Sequence, residues 1–379
     1  MTTAVPPRAG LEDVVAASSA ICYLDGERGV LAYRGYDIHD LATQATFEET
    51  CYLLWHGRLP NRAELGGLQS ELAAARALPE GILRLMRTLP PDHVMDTMRT
   101  LVSALSHYDS LSKDESPEGR YRTSVRLTAQ LASAVATSAR LAAGGGIIAP
   151  DPVMGHAANF LYMLTGNRPS ALSSRALDVA LVLHADHEFN ASTFVARVAA
   201  ATLTDVHSAV TGAIGALKGP LHGGANADVM HLLLELGEDA TDQKVDETIR
   251  AKLARKERIP GFGHRVYKTE DPRATHLRKM SQELGQKAGS LKWFQMSQRI
   301  EGLVKAEKKL LANVDFYSAS TYYALGIPPE LFTAVFAVSR VSGWTAHVLE
   351  QYAHNRLIRP RADYIGPSYP QIYIPLDRR

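Results

Sequence analysis

The sequence predicts a mostly α fold, a two-domain helical protein with one small N-terminal β-hairpin. Three observations point that way. Apolar side chains recur at helical spacing through most of the 379 residues. No strand-and-helix alternation appears, and no repeat of solenoid length. Hydrophobic residues make up 46% and charged residues 21%, the balance of a globular chain able to bury a sizeable core.

The hairpin comes first. Residues 20–23 and 30–33 are short apolar runs flanking a turn that carries Asp25-Gly26, the residue types tight turns prefer. An amphipathic helix over 47–56 then ends at Gly57, and similar periodicity covers 62–77 and 96–106. Residues 124–143 form an Ala/Leu/Val-rich helix that stops at Gly144-Gly145-Gly146. Helices are expected again over 152–165, 170–184 and 192–217, the last rich in small residues that permit close packing. Further on come an amphipathic stretch at 226–236, a polar-capped surface helix at 241–256, and helices over 271–285, 295–311 and 329–354.

Composition shifts along the chain. Residues 238–309 are strongly charged, whereas 171–217 and 330–349 are apolar. A small mobile domain over 225–317 is therefore expected, inserted between parts 1–224 and 318–379 of a large helical domain. His222 and Asp315 fall at its edges, where a cleft between domains lies.

Charge and cysteines narrow the classes. With 41 basic and 40 acidic side chains the formal charge is +1, so no global field argues for nucleic acid or a membrane surface. Thr, Gln, Ser and Arg interrupt the apolar stretch 127–143, which argues against a membrane span. Cys22 and Cys51 fit a reducing cytoplasm rather than a disulfide framework, and residues 1–7 carry no secretory pattern. A cytoplasmic location is expected. Phosphate-binding, dinucleotide-binding and serine-hydrolase motifs are absent.

Three residues stand in stiff local settings: His222 in Gly219-Pro220-Leu221-His222-Gly223-Gly224, His264 in Pro260-Gly261-Phe262-Gly263-His264-Arg265, and Asp315 in Asn313-Val314-Asp315-Phe316-Tyr317. Glycine permits close approach and positive φ, and proline fixes φ, so these side chains are aimed. Two imidazoles and a carboxylate can supply general acid, base and electrophile at a carbonyl. His222 reads either as a side chain at a helix start or as a satisfied loop histidine. His264 sits in the densest basic region, which suits phosphates or carboxylates. Asp315 reads as the cap of the next helix or as a desolvated base, with the cap preferred from its surroundings alone. His184-Ala185-Asp186-His187-Glu188 resembles a metal cluster, but its i, i+3 spacing is not that of a zinc helix, and a contact to an anionic ligand or a helix end is favoured. Arg340 lies in an apolar helix and needs an acid partner, from the protein or from a ligand.

In order, these segments resemble the citrate synthases and the related 2-methylcitrate synthases. The resemblance runs from Ala20-Ile21-Cys22-Tyr23 and Tyr33-Arg34-Gly35-Tyr36 to Arg359-Pro360-Arg361. It is most specific at Gly-Pro-Leu-His222-Gly-Gly-Ala-Asn, Pro-Gly-Phe-Gly-His264-Arg-Val-Tyr-Lys and Asn-Val-Asp315-Phe-Tyr-Ser. It implies a homodimer that condenses acetyl-CoA with oxaloacetate and hydrolyses the thioester, with CoA as cosubstrate and neither metal nor resident cofactor. Asp315 is then the base at the acetyl methyl, His222 the donor to the thioester carbonyl, and His264 the donor to the ketone of oxaloacetate. The resemblance assigns His187, Arg273 and Arg340 to oxaloacetate within one subunit and gives Arg359 to the partner's site. It assigns the backbone of Ile259, Pro260, Gly261, Phe262 and Gly263 to the CoA adenine, with Arg255, Lys256, Arg258 and Lys308 as candidates for the CoA phosphates. Propionyl-CoA as acyl donor, a CoA-thioester hydrolase and a non-catalytic metabolite-binding dimer are the competing readings.

Overall fold

The computed structural model describes residues 9–11, 14–90 and 92–379. Strand β1 (Cys22–Asp25) pairs antiparallel with β2 (Val30–Tyr33), and β2 continues into β3 (Tyr36–Asp37), a third strand beyond the expected hairpin. The first part of the helical body comprises α1 (Ile38–Gln44), α2 (Phe47–His56), α3 (Arg62–Ala75), α4 (Glu80–Thr88), α5 (Val94–Leu105), α6 (Pro117–Ala142), α7 (His156–Thr165) and α8 (Ala171–His184). It continues with α9 (Ala191–Ala200), α10 (Val206–Lys218), α11 (Ala225–Leu236), α12 (Asp242–Ala254), α13 (Pro272–Ala288), α14 (Lys292–Lys308), α15 (Val314–Ala324) and α16 (Phe332–Ala353).

Local chemistry sets many of these boundaries. Thr46 and Glu49 exchange side-chain and backbone hydrogen bonds at the start of α2, and Gly57 ends it at φ 75°. One expectation needs correction. Residues 192–217 are two helices, because the chain turns at 201–205, where Leu203 takes φ 64° and Asp205 caps α10 through Ser208 N–H. Helices α1 and α4 have no counterpart in the sequence reading, and α15 enters it only as the helix that Asp315 would cap.

Helix α16 is buried around most of its circumference and packs against α2, α6, α8, α9 and α10. Helices α11 to α15 pack mainly on one another, with α15 held between α11 and α13. Beyond α16, residues 355–379 run exposed, with Tyr364, Ile365, Tyr369, Ile372, Tyr373 and Leu376 all open to solvent. Among the described residues, no helix is long and apolar enough to cross a membrane.

Candidate active site

His222 lies in the turn between α10 and α11. Its N–H donates to the Gly219 carbonyl at 2.9 Å, and Thr333 Oγ1 at the start of α16 donates to the Gly223 carbonyl at 2.9 Å. A side chain at Gly223 would overlap the Leu217 carbonyl, so this close turn requires glycine. The helix start that meets the ring is not that of α11. Ser192, in the first turn of α9, directs its N–H at His222 Nε2 (3.3 Å), and its Oγ lies 2.8 Å from the same nitrogen. A backbone N–H can only donate, so Nε2 accepts and the ring proton sits on Nδ1. Burial, followed by the positive charge of Arg340, lowers the pKa of His222 to about 4. Trp344 Nε1 in turn donates to Ser192 Oγ at 3.0 Å.

The His264 loop is pinned to the segment that precedes Asp315. Gly263 N–H donates to the Leu311 carbonyl at 3.0 Å, Asn313 N–H to the Gly261 carbonyl at 2.9 Å, and Asn313 Nδ2 to the Gly263 carbonyl at 2.8 Å. Gly261 and Gly263 adopt φ 79° and 75°, which explains their residue type. His264 Nδ1 accepts from Val266 N–H (3.0 Å) and Tyr267 N–H (3.1 Å), which leaves the proton on Nε2. Burial, then Arg273, lowers the pKa of His264 to about 4. On the far side of this loop, Lys268 N–H donates at 2.9 Å to Gly26 in the hairpin turn.

Asp315 is not the helix cap. Asn313 takes that role, accepting Asp315 N–H at 3.0 Å, and Asp271 Oδ2 accepts Val314 N–H at 3.0 Å. The Asp315 side chain is left in the first turn, partly buried and without a hydrogen bond to any described residue. Burial raises its pKa to about 6, against the pull of Arg273 and Arg340.

The cations divide into three kinds. Arg273 is buried and held in a bidentate pair by Asp271, with Nε–Oδ1 at 2.9 Å and Nη2–Oδ2 at 2.8 Å. Arg340 is equally buried, but its one hydrogen bond to a described residue runs from Nε to the His184 carbonyl at 2.6 Å. It stacks 4.7 Å from the Phe336 ring and forms no ion pair among the described residues. The buried Asp186 carboxylate is near enough to favour the Arg340 charge without an ion-pair contact, and the free guanidinium edge suits an anionic ligand. Arg359 stands apart, exposed beyond α16 on a groove of about 1100 Å³ shared with Arg34, Arg197 and Glu350.

His187 joins the cluster. Its Nε2 lies 3.2 Å from Tyr267 Oη, and its ring centroid is 5.3 Å from that of His264. Burial, Arg273 and His264 lower its pKa well below the ordinary histidine value. The apparent metal cluster disperses: His184 Nδ1 meets the Ala180 carbonyl at 2.7 Å, Asp186 faces His347, and His187 faces Tyr267. Among the described residues, no group of three or more His, Cys, Asp or Glu can hold a metal ion.

Of the coenzyme candidates, Ile259 and Phe262 are buried in the pinned loop, while Pro260 lies partly buried beside Gly261 and Gly263. Arg258 and Lys308 are exposed, Lys256 turns at φ 58°, and Arg255 pairs with Glu257 at 2.5 Å. Sequence reasoning missed Ser192, Tyr267 and Trp344. The placement of Tyr267 three residues after His264 was the one available signal, since side chains that close can share a turn.

The chain matches the family model "Citrate synthase, C-terminal domain" over residues 10–361. It is 52% identical over 372 residues to citrate synthase 2 of Bacillus subtilis (strain 168), covering 98% of each chain. It is 43% identical over 375 residues to the 2-methylcitrate synthase of Shewanella oneidensis, again covering 98% of each. The crystal structure of Pyrobaculum aerophilum citrate synthase superposes with a TM-score of 0.91 at 42% identity, covering 98% of this chain and 95% of that one. A ternary complex of carboxymethyl coenzyme A and oxaloacetate with the citrate synthase of Thermoplasma acidophilum superposes at 0.89 with 32% identity, covering 97% and 98%. Fold and sequence together define a helical synthase class. The chain belongs to the citrate synthase family.

Proposed function

We propose that this chain condenses acetyl-CoA with oxaloacetate and hydrolyses the resulting thioester, so that acetyl-CoA, oxaloacetate and water give citrate and CoA. One observation carries the reading. Two neutral imidazoles, each with its proton position set by backbone N–H groups, accompany a carboxylate of raised pKa and a buried arginine that forms no ion pair among the described residues.

Asp315 takes a proton from the acetyl methyl group, a role suited by its raised pKa and by side-chain oxygens without a hydrogen bond to any described residue. His222 donates from Nδ1 to the thioester oxygen as the enolate forms. His264 donates from Nε2 to the ketone oxygen of oxaloacetate as the new carbon–carbon bond closes. Both imidazoles act as neutral donors, which their low pKa values support. Arg273, Arg340 and His187 hold the carboxylates of oxaloacetate, and the partner's Arg359 completes the set. The backbone 259–263 receives the adenine of CoA, with Arg255, Lys256, Arg258 and Lys308 near its phosphates. The CoA thioester is a cosubstrate, and no step calls on a metal or resident cofactor.

Segment 225–317 acts as a small domain closing on parts 1–224 and 318–379, which excludes water from the enolate. The working form is a cytoplasmic homodimer. The test is CoA-thiol release from acetyl-CoA and propionyl-CoA, each with and without oxaloacetate. Release that needs oxaloacetate and favours acetyl-CoA supports the reading. A propionyl preference makes it a 2-methylcitrate synthase, in keeping with the 43% relative. Release without oxaloacetate identifies a thioester hydrolase, and no release leaves a metabolite-binding dimer.

A further inference from the structure

A buried polar run extends from the His187 segment toward the surface, and the reaction steps above do not use it. Asp186 Oδ1 faces His347 Nε2 at 3.2 Å, and both residues are fully buried. Neither atom has a hydrogen-bond partner elsewhere among the described residues, so each is the other's available partner. His347 Nδ1 lies 3.0 Å from Arg197 Nη1, which also reaches Glu350 Oε2 at 2.6 Å. Glu350 Oε1 finally accepts Ala20 N–H at 2.8 Å.

Arginine can only donate, so His347 Nδ1 is an acceptor and the ring proton sits on Nε2, toward Asp186. Asp186 also organises its own turn: Oδ2 accepts Glu188 N–H at 3.0 Å, and its carbonyl accepts the Tyr33 hydroxyl at 2.9 Å. Glu188 adopts φ 53°, a left-handed conformation that persists only where its surroundings over-determine it. His187 stands between these two residues. On α16, Arg340, Trp344 and His347 fall on one face at i, i+4 and i+7. They meet the His184 carbonyl, Ser192 Oγ and Asp186 in turn.

We propose that His347 is a positioning residue for the oxaloacetate pocket: oriented by Arg197, it fixes the buried Asp186 carboxylate and thereby the turn that sets His187 beside Arg340. The proposal rests on reading His187 and Arg340 as oxaloacetate contacts. A partner that only stabilised the core would not single out one substrate.

The test compares H347L, which loses both contacts, with H347Q, whose amide oxygen can accept from Arg197 while its nitrogen donates to Asp186. H347L is expected to raise the KM for oxaloacetate about tenfold or more, the scale of a lost buried hydrogen bond to a charge. Its KM for acetyl-CoA stays within about twofold, and H347Q brings the oxaloacetate value back to within about threefold of wild type. If H347L does not fold, H347N carries the same comparison, because its shorter amide cannot span both partners. An oxaloacetate KM unchanged in H347L or H347N overturns the proposal, as do equal rises for both substrates or no rescue by H347Q. Absence of oxaloacetate-dependent CoA release from the wild type instead overturns the functional reading beneath it.

Discussion

Asp315 holds its proton more tightly in the fold than in the unfolded chain, since burial raises its pKa from an ordinary 3.8 to about 6. The sign for stability follows. Its contribution is present below the unfolded value and is lost as pH rises through about 6, because the native state must then bury a charge. At pH 8 the D315N variant should therefore melt at or above the wild-type temperature, although it is the variant expected to lose turnover. Thermal melts at pH 5 and pH 8 check this, and a clearly lower melting point for D315N at pH 8 would count against a desolvated carboxylate. Catalysis carries the same titration with a functional sign. The kcat/KM for acetyl-CoA should rise with pH through about 6, since His222 and His264 titrate lower, near 4, and stay neutral across that range. A profile flat between pH 5 and 7 would contradict Asp315 as the base.

At the scale of elements, the site depends on glycine turns pressed against helices. Gly261 combines φ 79° with a position where a Cβ would lie 2.8 Å from Val229 Cγ2 and 2.9 Å from Phe316 Cβ. The G261A variant should lose about 1–2 kcal/mol from left-handed backbone alone. That loss lowers the melting temperature by several degrees, and displacement of the adjoining loop should weaken acetyl-CoA use; calorimetry and steady-state kinetics read both. Such turns were legible in the sequence because glycine and proline declare local backbone needs. Two features were not. The break at 201–205 hides inside continuous apolar periodicity, since no Gly or Pro marks the left-handed Leu203. The capping of α15 by Asn313 rather than Asp315 turns on two residues, two positions apart, that are equally good caps. Of the two readings left open for His222, a helix start and a satisfied loop, the helix start that meets it is that of α9, because Ser192 lies 30 residues earlier and only tertiary packing joins them.

For the molecule as a whole, Arg359 lines a groove that includes neither Arg340 nor Arg273 of its own chain, the arrangement that the proposed site shared between two subunits requires. The exposed arm 355–379 carries apolar side chains, and the proposed dimer gives a surface to cover them. R340A and R359A should each impair oxaloacetate use, and mixed dimers should recover part of the activity, because one of the two sites then holds neither substitution. Verified heterodimers with no recovery would show that each site is built from a single chain. The same scale explains the limit of sequence reading. Motif order along the chain signalled the family, but which subunit supplies an arginine depends on assembly, and local residue patterns do not encode that directly.

The most direct test of the central claim is CoA release at saturating acetyl-CoA, titrated with oxaloacetate, for wild type and D315N side by side. The account predicts release that requires oxaloacetate in the wild type and falls by about a hundredfold or more in D315N, while calorimetry shows oxaloacetate still binding to the variant. Release independent of oxaloacetate, or undiminished turnover in folded D315N, would contradict it.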